Sequence, residues 1–376
     1  MIYAAFFIFF LYAVACLWLC VQWIRIPQRH SETISVPNDF KLSVIIPVRN
    51  EEQNIGVLLN DLRQQTLDKR HLEVIVVNDA STDATEAIVR AFEDEQFFDL
   101  KLISLNDVAV KSPKKRAITE ALKVAVGQLI VTTDGDCRVG AKWLETIVHT
   151  YLQTNANFIS GPVTFLGEKN SFGIFQTIEF ASLIGTGACL LEAGHPTMCN
   201  GANLGYRRAA FDEVGGYEGV DQIASGDDEF LLQKIHERYP RSAYFLKNEA
   251  AIVRTQPQEN WRAFYRQRIR WAGKWAVNRR PATMIVAVFV FIVNALTIVL
   301  VAKALGEEMR NFGMNTILMI KFLPEFIFLA LIISFLKKSA LVWYIPLVQL
   351  FYPFYVLFFG LAAQQKEYEW KGRRLR

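Results

Sequence analysis

The sequence predicts an α/β domain, a mixed and mainly parallel sheet flanked by helices, with membrane helices at both ends of the chain. Three observations predict it. Short apolar runs beginning at Leu42, Glu73 and Leu129 alternate with stretches of helical apolar spacing, in units of about 30 residues, the pattern of a mainly parallel sheet. The runs at Glu73 and Leu129 end abruptly on carboxylates, Asp79 and Asp134-Gly-Asp136. The hydrophobic excess, 52% of 376 residues with 28 Phe, is concentrated at the two ends of the chain. That length suits one large domain or two modest ones. The net charge of +4 is small and the basic residues sit beside apolar segments, which points to a membrane surface and not to nucleic acid. Cys16, Cys20, Cys137, Cys189 and Cys199 form no Cys-x-x-Cys pair and have no His at zinc-finger spacing. They read as reduced thiols on a cytosolic face.

Residues 2–24 are almost uninterrupted apolar side chains, followed by Arg25, Arg29 and His30. This is long enough to cross a bilayer, and without a basic leader or small-residue cleavage site it reads as an uncleaved anchor spanning 1–25. The arginines place the chain from residue 25 onward in the cytoplasm. Residues 31–40 read as a linker. Leu42–Pro47 is expected as a strand, Asn54–Gln65 as a helix with Ile55, Leu58, Leu59 and Leu62 on one face, and Glu73–Asp79 as a second strand. Thr82–Phe92 reads as a helix, Leu100–Leu105 as a third strand, and Lys114–Val126 as a helix leading into the strand at Leu129–Val131. Asp79 and Asp136 then share one edge of the sheet, where ligands of open α/β sheets bind.

Trp143–Leu152 is expected as a helix, Asn157–Val163 as a strand, and Ser171–Ile184 as an amphipathic helix. Cys199–Arg207 is polar and Gly-rich, a loop suited to close approach by a ligand. Ser225-Gly-Asp-Asp-Glu229 opens a helix through Leu231, Leu232 and Ile235, with Asp227 read as a simple dipole-stabilising first-turn acid. The cytosolic domain thus spans 41–258. Residues 259–281 contain a helix, Trp261–Arg280, in which Trp and Tyr alternate with arginines, a composition suited to the headgroup region or to a diphosphate.

The region 282–376 holds apolar segments at about 282–302, 315–336 and 340–363. In the middle one, each of Lys321 and Glu325 would cost about 2.5–3.5 kcal/mol near the bilayer centre, and their four-residue spacing allows them to pair. Three crossings would leave Lys371, Arg373, Arg374 and Arg376 outside, against the positive-inside rule, whereas Lys337 and Lys338 favour three. Two and three crossings both stay open.

Asp-x-Asp alone is as readily a polar turn as a metal site. Here VIIPVRNEE, VVNDASTDAT, TTDGD, SGDDEFLL and QRIRW occur in that order at suitable spacing. Together they resemble the membrane-embedded family 2 glycosyltransferases with a GT-A fold and a D, D, D, Q-x-x-R-W signature, the group containing cellulose, chitin and hyaluronan synthases and ceramide glucosyltransferase. The resemblance covers roughly residues 42–275. It implies a nucleotide-sugar donor, Mg²⁺ or Mn²⁺, and a plasma- or inner-membrane enzyme facing the cytoplasm.

By resemblance, Arg49 and Glu51 fall in the first nucleotide loop, though Arg49 stands where many members carry an aromatic residue. Asp79 matches the nucleotide-contacting aspartate, and Asp134 and Asp136 the metal-binding pair. Lys114 and Lys115 sit where basic residues approach the donor, a solvated helix start being equally consistent with them. Asp228 matches the general base; Gln267, Arg270 and Trp271 match the motif near diphosphate and acceptor. Asn200, Gly201 and Asn203 resemble the acceptor-side loop.

The residue types suit the chemistry. A departing diphosphate needs a metal and cations, and an acceptor hydroxyl needs a carboxylate to take its proton. Direct attack inverts the anomeric carbon, so an α-linked donor gives a β product. The acceptor is either a growing polysaccharide or a lipid. Three or four spans make a narrow conduit for a polymer unless the chain oligomerises or has a partner subunit. A catalytically silent scaffold or sugar-nucleotide-binding subunit is the alternative, opposed by the intact aspartates and Q-x-x-R-W.

Overall fold

The computed structural model describes residues 2–28, 35–107, 110–168, 170–273, 281–304, 312–362, 368–370 and 373–375. It divides into two compact units, Ile26–Gly167 with Gly187–Pro257 and Glu369–Arg376, and Met1–Arg25 with Glu168–Thr186 and Gln258–Tyr368.

The first unit is built on a seven-stranded sheet. Its parallel half comprises β1 (Leu42–Val48), β2 (Leu72–Asp79), β3 (Asp99–Leu105) and β4 (Leu129–Thr132). β1 lies between β2 and β4, with Leu42 opposite Leu72 on one side and Leu129 on the other. β2 and β4 are buried throughout, as expected of apolar strands covered on both faces. The connecting helices are α2 (Ile55–Arg63), α3 (Thr85–Asp94) and α4 (Pro113–Val124). α2 buries Ile55, Leu58, Leu59 and Leu62, as its spacing predicts. α4 begins with Pro113, which needs no N–H in the first turn. α5 (Trp143–Thr154) ends at Asn155, whose left-handed φ of 53° closes the helix.

Beyond this point the sheet departs from expectation in two places. The strand expected over Asn157–Val163 breaks into β5 (Phe158–Ser160) and β6 (Val163–Phe165). Pro162 has no N–H for a ladder, and a side chain at Gly161 would collide with that of Asn203. β6 leaves the main sheet and pairs in parallel with β9 (Val253–Thr255). The loop expected over Cys199–Arg207 ends in a strand, β7 (Leu204–Arg207), that runs antiparallel between β4 and β5. The edge strand is β8 (Ala243–Phe245), giving the order β3-β2-β1-β4-β7-β5-β8. α7 (Arg208–Glu213) and α8 (Asp227–Arg238) complete this unit.

The second unit is helical. α1 (Ile2–Arg25), α6 (Ser171–Glu192), α9 (Trp261–Gly273), α10 (Pro281–Ala304), α11 (Phe312–Phe335) and α12 (Ile345–Ala362) follow the apolar segments of the sequence. α6 runs past Ile184, where the apolar stretch was expected to stop, to Glu192; residues 274–280 of the expected basic aromatic helix lie outside the described residues. Among the described residues, five helices are long and apolar enough to cross a membrane: Tyr3–Arg25, Ser171–Glu192, Met284–Ala304, Asn315–Phe335 and Ser339–Ala362. Phe9, Val293, Leu300 and Ile317 form one core between α1, α10 and α11. The expected pair forms: Lys321 Nζ lies 2.7 Å from Glu325 Oε2, and Lys321 is fully buried. Tyr12 Oη and Gln349 Nε2 also donate to the Glu325 carboxylate, so the buried charges have partners from α1 and α12.

Candidate active site

The carboxyl ends of β1, β2 and β4 lie side by side, because Val48 pairs with Asn78 and Ile45 with Thr132. The loop after β1 is fastened to the end of β2. Arg49 Nη1 donates to the carbonyls of Asp79 (2.6 Å) and Ala80 (3.1 Å), and the N–H of Glu51 donates to Thr85 Oγ1 (2.7 Å). Glu51 Oε2 accepts from Asn54 Nδ2 at 2.8 Å. Arg49, Glu51 and Asp79 are all buried, and the turns on either side use left-handed Asn50 and Ala80 (φ 53° each).

β4 runs out through Thr133 into Asp134-Gly135-Asp136. A Cβ on Gly135 would come within 2.8 Å of Val48 Cγ1 and 3.1 Å of Glu51 Cγ. The glycine is what allows this turn to lie against the loop after β1. Lys114, in the first turn of α4, places Nζ 2.6 Å from Asp134 Oδ1 and 3.4 Å from Asp227 Oδ2. Burial alone would lower its pKa; Asp134 and then Asp227 outweigh that and hold the ammonium above the ordinary lysine range. Asp136 Oδ2 accepts from Thr255 Oγ1 at 3.1 Å. The adjacent Cys137 thiol is pushed up by burial and by Asp136 and Asp134, which makes it a poor nucleophile.

Gly226 has φ +82° and starts α8 at Asp227. Asp228 is buried; Oδ2 accepts from Gly201 N–H (3.0 Å) and Oδ1 from Glu229 N–H (2.8 Å). A Cβ on Gly201 would sit 3.0 Å from Lys114 Nζ and 3.1 Å from Asp227 Oδ2, so a side chain there would press on both charged ends where they converge. Lys114, Asp134, Asp227, Asp228 and Gly201 therefore form one knot. Asp227 is not the bare helix-starting acid expected from sequence: its carboxylate faces Lys114. The acid-rich first turn concealed this because dipole stabilisation explains such a residue by itself.

The acceptor-side assignments separate. Gly201 belongs to the knot, and Asn200 Oδ1 accepts from Ala202 N–H (2.9 Å), forming a local turn. Asn203 is a core bridge. Its Nδ2 donates to the carbonyls of Pro162 and Ala251 (2.8 Å each) and its Oδ1 accepts from Trp143 Nε1 (3.0 Å). With its amide committed to the protein and 1% exposed, Asn203 ties β6, β7 and α5 together.

Gln267, Arg270 and Trp271 lie on α9 in the helical unit. Gln267 Oε1 accepts from Arg268 Nη1, and the Trp271 ring lies 5.9 Å from that of Phe180. The guanidinium of Arg268 is sandwiched 4.3 Å from both the Phe264 and Trp271 rings and is paired with Glu179. Arg268, an unspecified position in the motif, was not legible because nothing in the sequence marks Glu179 as its partner.

A model of the glycosyl transferase family 2 domain matches residues 43–215, from the start of β1 to just past α7. The chain carries a family 2 glycosyltransferase domain. Glycosyltransferase AglE of Haloferax volcanii is 36% identical over 124 residues, 33% of this chain and 40% of AglE. The poly-beta-1,6-N-acetyl-D-glucosamine synthase of Staphylococcus epidermidis is 24% identical over 237 residues, 61% of this chain and 53% of that protein. The matched region thus spans about half the length of these relatives or less. Mannosyltransferase PcManGT from Pyrobaculum calidifontis, solved with GDP-Man and Mn²⁺, shares the fold: TM-score 0.56, 17% identity, covering 93% of this chain and 98% of that one. The family 2 domain is of GT-A type, as its sequence motifs implied.

The donor set at the sheet edge fits a hard divalent ion. Among the described residues no group of three or more His, Cys, Asp or Glu could hold a metal unaided. Asp134 and Asp136 offer two carboxylates across one glycine, and Mg²⁺ bound with a phosphorylated ligand ordinarily takes one or two from the protein.

Proposed function

We propose that the family 2 domain, with the helical segments around it, is a membrane-bound, metal-dependent inverting glycosyltransferase. It takes a sugar from a nucleotide-sugar donor and passes it to a growing polysaccharide or a lipid-linked acceptor, forming a β-glycosidic bond. The observation that carries the reading is the knot at the sheet edge. A single ammonium, Lys114, joins the Asp134 carboxylate to the turn that bears Asp228.

In this reading Asp134 and Asp136 hold Mg²⁺ or Mn²⁺. That ion, when bound, offsets the negative charge that builds on the leaving diphosphate. Arg49 fixes the Asp79 turn against which the nucleotide lies. Lys114 supplies a fixed positive charge that needs no reorganisation as the diphosphate departs. Asp228, oriented by the N–H groups of Gly201 and Glu229, takes the proton of the acceptor hydroxyl while its oxygen bonds to the anomeric carbon. The bond from that carbon to the diphosphate oxygen breaks on the opposite face, which inverts the centre. By the same family resemblance Gln267, Arg270 and Trp271 serve the diphosphate and the acceptor.

The five long apolar helices support residence in a membrane, and Arg25 at the end of α1 supports a cytoplasmic catalytic domain. The test is product analysis with the full chain in membranes, supplied with Mg²⁺ or Mn²⁺ and labelled nucleotide sugars including UDP-N-acetylglucosamine and GDP-mannose. Long glycosidase-sensitive chains define a polysaccharide synthase, and a single sugar in the organic phase defines a glycolipid enzyme. Asp228→Asn is expected to abolish either product; full activity in that variant would remove the base assignment.

A further inference from the structure

Lys114 and Lys115 are consecutive in the first turn of α4, and successive helical side chains diverge by about 100°. Lys114 reaches the carboxylates. Lys115 reaches the other way. Its Nζ donates to the carbonyls of Val220 (2.7 Å), Ile223 (2.8 Å) and Ser225 (3.2 Å), and lies 5.1 Å from the centre of the Phe230 ring. The residue is 3% exposed. A buried ammonium is costly unless its three N–H groups find acceptors, and three converging carbonyls satisfy it.

Those carbonyls belong to the loop that delivers the chain to Gly226, and so to Asp227 and Asp228. A cavity of about 440 Å³ opens between α4 and this loop, lined on the loop side by Tyr217, Asp221 and Gln222. Ser112 Oγ also donates to the Ile223 carbonyl (2.5 Å), so the start of α4 holds this loop through Ser112 as well as Lys115.

The geometry points to Lys115 as a positioning residue for the Asp227–Asp228 turn, acting through the loop Val220–Ser225. It rests on the reading of Asp228 as the base. Two lysines that look interchangeable in the sequence thus divide the work: Lys114 meets the site carboxylates, and Lys115 fixes the backbone that presents two of the acids.

The test is Lys115→Met in the full chain in detergent, which keeps the stem against Phe230 and removes the donors. Hydrogen exchange over residues 220–228 reads the clasp, and steady-state transfer from UDP-N-acetylglucosamine or GDP-mannose, whichever the parent protein uses, reads its consequence. Exchange at 220–228 is expected to rise about tenfold. kcat is expected to fall about 100-fold, the scale of a misplacement near 1 Å, with donor KM within about twofold. Unchanged exchange at 220–228, or an equal rise across the whole domain, overturns the proposal. An unchanged kcat with a loosened loop does so too. Lys115→Gln, which keeps two N–H donors, is expected to show both changes at smaller amplitude and serves if the methionine variant does not fold. Lys111→Ala, on the cavity rim, is expected to match the parent. If Asp228→Asn turns over normally the base assignment fails, and exchange in the Lys115 variants still decides whether the clasp exists.

Discussion

Replacing Lys114 by Met tests the centre of the site while keeping most of the side chain's apolar stem. At 2.6 and 3.4 Å, with an effective dielectric near 20, the gross attractions to Asp134 and Asp227 are about 6 and 5 kcal/mol. Most of this is offset by desolvating the ammonium. Removing one member of a buried pair ordinarily costs about 3–5 kcal/mol. The Asp134 side chain is 40% exposed and regains water when the lysine is gone, so the expected loss is smaller, about 2–3 kcal/mol. For a domain of this size that corresponds to a fall in melting temperature of about 5–10 °C, measurable by scanning fluorimetry in detergent. The pH dependence is set by the raised pKa of Lys114. A group whose folded pKa is raised gives stability that is complete below its unfolded value, about 10.4, and is lost as pH rises through the folded value. The difference between parent and variant should therefore stay constant from pH 6 to 9 and shrink only in strong alkali. Transfer should fall about 100-fold in kcat/KM, the scale for removing one fixed charge donor. A variant with the parent's melting temperature and kcat/KM within twofold would refute the reasoning.

Four further outcomes are expected. Gly135→Ala drives a methyl group onto Val48 and Glu51 and should cost about 1–3 kcal/mol by overpacking, read as a lower melting temperature together with lost transfer. Asn203→Ala breaks three internal hydrogen bonds and should destabilise the domain by about 2–4 kcal/mol; an unchanged melting temperature with a raised acceptor KM would restore Asn203 to the acceptor loop. Lys321→Met alone strands the Glu325 carboxylate and should cost about 3–5 kcal/mol, whereas the double replacement Lys321→Met/Glu325→Leu should recover most of it in detergent melts. Chelation with EDTA should stop transfer and added Mn²⁺ should restore it, with Asp136→Asn raising the Mn²⁺ needed for half-activity by about tenfold or more.

The parallel half of the sheet was legible because β1, β2 and β4 are apolar runs and α2 carries a regular stripe. β7 was not. Its Leu-Gly-Tyr-Arg sequence comes after a Gly- and Asn-rich stretch, and it becomes a central strand only because β4 and β5 supply partners from far away in the chain. Asn203 misled for the same reason: a polar residue in a polar loop reads as a ligand contact until its amide is found facing Pro162, Ala251 and Trp143. The Asp134–Gly135–Asp136 turn could be located from the strand before it. The reach of Lys114 to Asp227 could not, since the two stand far apart in the chain and only the fold brings them together. The Lys321–Glu325 contact was readable because a helix brings residues four apart together without help from the rest of the fold.

The tandem lysines at the start of α4 give that helix a mechanical character. Its first turn works as a crank with two throws, one engaging the Asp134 carboxylate and the other the backbone that leads to Asp228. A small rotation about the helix axis would shift both engagements together. Any change that tilts α4 therefore disturbs the Asp134 contact and the Asp227–Asp228 turn at once.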